Sequence, residues 1–379
     1  MGGSASKDGK VPSTPRGDRP EATGGAAKDK PKGEPLITQK FGSFHSEQKS
    51  EPGFGADDDD NQDVMISTAL QEDVQLYAMF DGHGHEGRLV SDACKECVLD
   101  VLAANLKEVD KEKDVVKEEL KSAILELNKK VTARDDVDTS QSGASVTLVI
   151  YDVKNKGLLV GNVGDTKLVV AKNKPGARRR SRTSLLCSDI SACAPDIAPR
   201  TSAPSPSPAP SSLTLSAPAI PPRPGCAGEK SLKAQMLTED HYPGVATEKA
   251  RIEASGGRVA ATEDVQLGEL GGQRVWKGTS DKPGLPLSRS IGDKMAKELG
   301  VTAEAALNKV SLTAEDRFLV LASGGIWKVF SPQEVVDLVA QQPDAASACD
   351  ALVKEASKRW EELWQGENTS VMVVVLPTA

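Results

Sequence analysis

The sequence predicts an α+β fold in which antiparallel sheets carry helices on their outer faces. Three observations lead there. Short runs rich in Val and Leu recur along the chain, bounded by turn residues. Several of these runs follow one another directly, which is the mark of antiparallel neighbours. Stretches with helical spacing stand between the strand groups instead of after every strand.

The strands are read in order as "VQLYAMF" (74–80), "ASVTLVIYDV" (144–153), "GLLVGNVGDTKLVVAK" (157–172), "RFLVLAS" (317–323) and "TSVMVVVLP" (369–377). Helical periodicity marks 86–107, 109–133, 246–255, 332–341 and 344–364. "ATEKARIEASGG" predicts a helix closed by a glycine in the left-handed conformation. "SPQE" at 331–334 is a start signal: a Ser cap, Pro at the first helical position, and Glu three residues after the cap.

The totals exclude several classes. With 379 residues, 38% of them hydrophobic, the chain can bury a sizeable core. Aromatics make up only 3%, so aliphatic side chains must fill it. A net charge of −8 argues against a nucleic-acid partner, which calls for a basic face. No apolar run reaches the roughly 20 residues of a membrane span, and no signal-peptide pattern opens the chain. Six cysteines in this length form no disulfide framework, so a cytoplasmic, reducing setting and a monomer are the expectation.

Two blocks lack apolar periodicity. Residues 1–40 are rich in Gly, Pro and Lys; within 1–32, seven basic and four acidic residues give +3. The segment is expected to be a disordered basic tail. Its opening, "MGGSAS", fits the N-myristoylation pattern with Gly2 as acceptor. Nearby Lys7, Lys10, Arg16 and Arg19 would add electrostatic attraction to a membrane surface, which a single acyl chain needs for stable anchoring. Residues 173–230 hold 11 of the 23 prolines and carry eight basic against three acidic residues, +5. This reads as a disordered Pro/Ser/Arg-rich insertion within one domain spanning 41–379, because ordered patterning resumes at "QMLTEDH".

Acidic residues cluster at strand ends: Asp63, Asp81 in "DGHGH", Asp165 in "GNVGDT", Asp293 in "SRSIGD" and Glu367 in "GENTS". Carboxylates beside glycines, whose backbone carbonyls can approach closely, suit a hard cation such as Mg²⁺ or Mn²⁺. Each alone is more often a turn or cap residue. Cys94 and Cys97 form a lone CxxC and read as core or surface thiols; His241 reads as structural.

"YAMFDGHGHEG", "GASVTLVIYD", "LLVGNVGDTKLVV", "LTEDHYPGVATEKARIEASGGRV", "RVWKGTSDKPGLPLSRSIGD", "DRFLVLASGGIWKVFSPQEVVDLV" and "ENTSVMVVV" stand in the order of the blocks of PPM/PP2C-type protein phosphatases, which the chain resembles over about 40–172 and 231–379. The resemblance implies a four-layer α-β-β-α sandwich, two antiparallel sheets face to face and flanked by helices. It also implies a two-metal Mg or Mn site where metal-bound water attacks the phosphorus of phosphoserine or phosphothreonine. Carried over residue by residue, Asp63 and Asp81 fall at metal aspartates, Gly82 at a carbonyl ligand and His83 at a histidine proposed as general acid. Asp293 matches a position tied to an additional metal in some members. Glu367 stands where the family usually has Asp.

The stretch "VLASGGIWKVF" departs from the pattern. Where the family usually reads Ala-Ser-Asp-Gly-hydrophobe-Trp-Asp, this chain has Gly324 at the first acidic position and Lys328 at the second. The Arg that grips substrate phosphate ahead of the first metal aspartate is also missing; the region reads "GADDDDNQD". Two lost acids and one gained cation change the local charge by +3, so a metal should bind poorly. An inward Lys328 would take up part of the vacated space. The expectation is a degraded metal site, weak or inactive as a phosphatase, in a protein that acts through a phosphoprotein or regulatory partner. Two alternatives stand beside it: an active divergent phosphatase, and a membrane-tethered scaffold that works through its tail and insertion.

Overall fold

The structure is a computed structural model that describes residues 39–41, 44–52, 61–106, 113–173, 232–261, 272–363 and 365–377. The expected acylation at Gly2 and nearly all of both irregular blocks lie outside these residues. The blocks' inner edges are nonetheless strand: the first strand begins at Gln39, and Asn173 ends another.

Two six-stranded antiparallel sheets stack face to face. The first runs β1 (Gln39–Phe41), β2 (Phe44–Glu51), β15 (Thr369–Val375), β14 (Asp316–Ala322), β7 (Lys167–Asn173), β8 (Leu232–Met236). The second runs β13 (Ala306–Ser311), β6 (Gly157–Val163), β5 (Gly143–Asp152), β4 (Val74–His83), β3 (Asp63–Gln71), and the short β12 (Ile291–Gly292) also pairs with β5. On the outer face of the second sheet lie α1 (Gly87–Asn105) and α2 (Lys113–Thr132); on that of the first lie α6 (Pro332–Ala340) and α7 (Ala345–Glu362). A small sheet of β11 (Pro283–Leu285), β10 (Arg274–Lys277) and β9 (Gly257–Ala260), with α3 (Ala246–Ala254) and α4 (Lys294–Lys297), forms a side lobe. The four-layer sandwich is therefore present as expected.

Period-two alternation sorts the core into its layers. Along β4, Leu76, Ala78 and Phe80 face α1 and α2, where Val90, Cys94, Leu120 and Ile124 cover them. Tyr77 and Met79 point the other way, into the space between the sheets, and meet Leu168, Leu319 and Met372. Val320, Ala322, Val371 and Val373 face α6 and α7 against Val335, Val336, Leu352 and Val353. Cys94 is thus a core thiol whose burial raises its pKa, and it is free, as is Cys97.

Local signals hold where the sequence is explicit. Ser331 and Glu334 cap α6 reciprocally, and α3 ends before Gly256 at φ +86°. The apolar run 157–172 is two strands, not one, broken at Gly164–Thr166 where the chain crosses from one sheet to the other. Strands β2, β3, β8, β9, β10 and β13 carry no clean hydrophobic run; each has exposed or half-exposed positions and is fixed by its partner's register instead.

The double glycine after β14 forms the first turn of a short helix, α5 (Gly324–Trp327). A Cβ on Gly325 would sit 2.2 Å from the Asn368 carbonyl oxygen, so no side chain fits. A Cβ on Gly324 would meet nothing nearer than 3.3 Å, and its φ lies outside the left-handed region. Gly325 is required by packing; Gly324 is not. Gly325→Ala is accordingly expected to lose about 1–3 kcal/mol of stability through forced backbone displacement. Gly324→Ala should stay within about 1 kcal/mol of wild type, both read from urea denaturation midpoints.

Candidate active site

Both sheets end at one edge of the sandwich, and the acidic strand ends converge there. Antiparallel register sets Asp63 directly opposite Asp81 on the neighbouring strand, and Asp81 opposite Ser145 on the next. Across the gap, β14 delivers Ser323 and α5, while Glu367 and Asn368 lead into β15. The strands are joined by Gln62, whose N–H donates to Asn368 Oδ1 at 3.0 Å. A pocket of about 380 Å³ opens here, with Asp81, His83, Asp165, Lys328 and Glu367 in its wall.

Asp63 is 5% exposed, and neither carboxylate oxygen makes a hydrogen bond of ordinary geometry, although Ser323, Ser370 and Asp81 lie beside it. Burial raises its pKa. Asp81 is held well above the usual carboxylate range by burial, then by the facing charges of Asp63 and Asp165. Its Oδ2 accepts the backbone N–H of Gly324 at 2.9 Å. The position that the family resemblance assigns to a metal aspartate thus supplies a donor.

Lys328 points into the site. Its ammonium donates to both oxygens of Glu367, at 2.6 and 2.7 Å. A Cβ built on Gly324 would lie 3.5 Å from Lys328 Nζ, 3.5 Å from Asp165 Oδ2 and 3.3 Å from Asp81 Oδ2, so the three groups surround one point. Burial alone would lower the Lys328 pKa, but Asp165, Glu367 and Asp81 outweigh it and hold the ammonium above its ordinary range.

The sequence marks Asp165 only as a strand-end carboxylate. The fold brings it into the site through the β6–β7 crossing, where Ser145 Oγ donates to its Oδ1 at 2.9 Å. His241 steadies the same turn: its Nδ1 accepts from the Gly164 N–H at 3.1 Å, and its backbone N–H donates to Gly164 O at 3.3 Å. Burial pushes His241 down to about 4, keeping the ring a neutral acceptor.

His83 and Asp293 form a separate pair, with His83 Nε2 donating to Asp293 Oδ2 at 2.7 Å. A Cβ on Gly143 would lie 2.2 Å from that Oδ2, so this glycine makes room for the pair. Asp293 is committed to His83 and to the neighbourhood of Lys297.

The residues present do not fit a two-metal centre. A backbone amide and an ammonium stand where two carboxylates would be needed. Glu367 is occupied by Lys328, and no cluster of three or more acid, His or Cys groups in metal-binding arrangement occurs among the described residues. Among the described residues of the site, the buried carboxylate of Asp63, with Asp81, Gly82, Ser323 and Ser370 nearby, keeps the character of a cation ligand.

Comparison with known proteins identifies the frame. A family model described as protein phosphatase 2C matches residues 49–184 and 226–362. The chain belongs to the protein phosphatase 2C family. It is 26% identical over 335 residues to the probable protein phosphatase 2C 52 of Arabidopsis thaliana, covering 79% of this chain and 59% of that protein. It is 42% identical over 129 residues to the probable protein phosphatase 2C 12 of Oryza sativa subsp. japonica, covering 34% of this chain and 32% of that protein. In these matches the chain spans between about a third and three-fifths of the relatives' length. A serine-threonine phosphatase 2C from Toxoplasma gondii superposes with a TM-score of 0.62 at 16% identity, over 91% of this chain and 98% of that one. A C. elegans sex determining protein gives 0.61 at 17% identity, over 89% and 66%. At these identities the likeness shows the fold alone. The family is generally dependent on Mg or Mn.

The His83–Asp293 pair sets a pH dependence. Burial alone would lower the His83 pKa, but the adjacent Asp293 raises it overall. Burial alone would raise Asp293, but His83 and then Lys297 depress it overall. The histidine's contribution to stability is complete below its unfolded value of about 6.5 and fades as pH climbs through the raised folded value. The aspartate's contribution is present above about 4 and fades as pH falls through the depressed one. The stability gap between wild type and Asp293→Asn, from urea titrations, should therefore be widest between about pH 4 and 6.5 and narrower near pH 9.

Proposed function

We propose that this protein phosphatase 2C family member has little or no phosphatase activity and acts as a regulatory binding protein toward a phosphoprotein or regulatory partner. The observation that carries this reading is the Gly324–Lys328 exchange. One acidic position supplies an N–H to Asp81, and the other places an ammonium on Glu367. A dication is held by carboxylate charge and ligand number, and both are reduced here. Phosphoryl transfer relies on positive charge that neutralises the equatorial phosphate oxygens. A lysine already paired with a carboxylate contributes little of it. His83, bonded to Asp293, could still present a proton, but proton transfer without a positioned substrate accelerates little.

A second reading, a divergent phosphatase that retains one weakly held cation, is favoured by one observation: the buried Asp63 carboxylate has no hydrogen bond of ordinary geometry. A phosphopeptide and small-phosphoester assay with Mn²⁺ and Mg²⁺ separates the two. Wild type is expected to match an Asp81→Ala control, and Gly324→Asp/Lys328→Asp should gain metal-dependent hydrolysis of about tenfold or more. A Cβ at position 324 would meet nothing nearer than Asp81 Oδ2 at 3.3 Å. Hydrolysis by wild type that vanishes in Asp81→Ala would establish the second reading instead.

A further inference from the structure

We propose that Lys328 is an internal counter-ion: its ammonium ties the open ends of the two sheets together, a structural task otherwise suited to a divalent cation, and Asp165 is the residue that positions it. This rests on the reading of the site as one that does not hold two metals.

The argument is geometric. The groups around the ammonium come from both sheets. Asp81 lies near the end of β4 in one sheet, and Glu367 leads into β15 in the other. Asp165 lies in the turn where the chain passes from β6 to β7, one in each sheet. Lys328 follows α5, itself the continuation of β14. Without a cation, Asp165 would face Asp81, which already stands directly opposite Asp63 on the neighbouring strand, and opposed like charges there are destabilising. Both Lys328 and Glu367 remain partly exposed, with side chains 27% and 37% accessible, so their own ion pair is screened and adds little alone. The more buried Asp81 and Asp165 are the groups the ammonium serves.

Asp165 is suited to hold the lysine because its own position is fixed. Ser145 Oγ donates to Oδ1, the Asp165 N–H approaches the same hydroxyl at 3.3 Å, and His241 braces the preceding glycine. Oδ2 is left facing the point shared with Asp81 and Lys328. A cation carried on the polypeptide cannot be removed by chelation, so the native state should be indifferent to divalent ions.

Thermal unfolding of the full chain tests this. In wild type the midpoint should be the same in EDTA and in millimolar Mn²⁺ or Mg²⁺. Lys328→Met should unfold several degrees lower in EDTA and recover part of that loss with Mn²⁺, because three carboxylates are uncovered and a ligand that binds only the native state stabilises it. Asp165→Asn should also lower the midpoint, and the double variant should fall short of the sum of the two, since the residues share one interaction. If Lys328→Met fails to fold, the Asp165→Asn protein labelled with ¹⁵N-lysine still decides. Wild type should show slowly exchanging ammonium signals, those of Lys297 and Lys167 among them, and Asp165→Asn should shift or lose the one that Lys328→Arg removes. A wild-type midpoint raised several degrees by Mn²⁺ would overturn the proposal, as would additive effects of the two substitutions or an unchanged lysine signal. Hydrolysis by wild type with an unmoved midpoint would sink the non-catalytic reading and leave the internal counter-ion standing.

Discussion

Like charges brought together at the ends of neighbouring strands are the constraint on which this molecule turns. The register of β3 against β4 places Asp63 across from Asp81, and the crossing between β6 and β7 adds Asp165. Neither sheet can move its acids apart without shifting a whole strand, because a slip of one residue would send every side chain to the opposite face. The core packing of Phe80, Met79 and Leu76 therefore fixes the carboxylates as firmly as it fixes the layers. Something must answer that charge. Two raised carboxyl pKa values, the Gly324 amide and the Lys328 ammonium are how this chain answers it.

Family membership is carried by the frame of the molecule, not by the donor set at its open edge. Everything that builds the sandwich is retained: the paired sheets, the flanking helices, the glycine that lets Asn368 approach, the capped α6. The exchanges at Gly324 and Lys328 lie at one edge of the sandwich and outside its hydrophobic clusters. A fold stabilised by its aliphatic layers can tolerate such exchanges, which is why fold alone does not determine chemistry.

Much of this was legible in the sequence, and the reasons for the misses are physical. Strands buried on both faces, such as β5 and β14, read as continuous apolar runs and were visible. Half-exposed strands such as β8, with pattern "LKAQM", owe their conformation to a partner far along the chain and were not. Ser331 and Glu334 announced the start of α6 because capping is local. Gly324 and Lys328 stood out only against the family pattern; composition gave no hint of either. Asp165 was visible as a strand-end acid, but its convergence with Lys328 depends on a crossing between sheets that periodicity does not encode. The commitment of Asp293 to His83 likewise rests on Gly143 leaving space, which sequence alone does not reveal.

The two indoles around α5 give the site a built-in optical signature. Trp327 donates its ring N–H to the Ala322 carbonyl at 2.8 Å, and Trp360, reaching over from α7, donates to the Gly325 carbonyl at the same distance. Both rings are buried, and the two carbonyls flank Gly324 on either side. Ultraviolet emission from these rings therefore senses the backbone of the altered turn, with no label added. A partner that entered the pocket and shifted that turn would change the colour and brightness of the protein's own light.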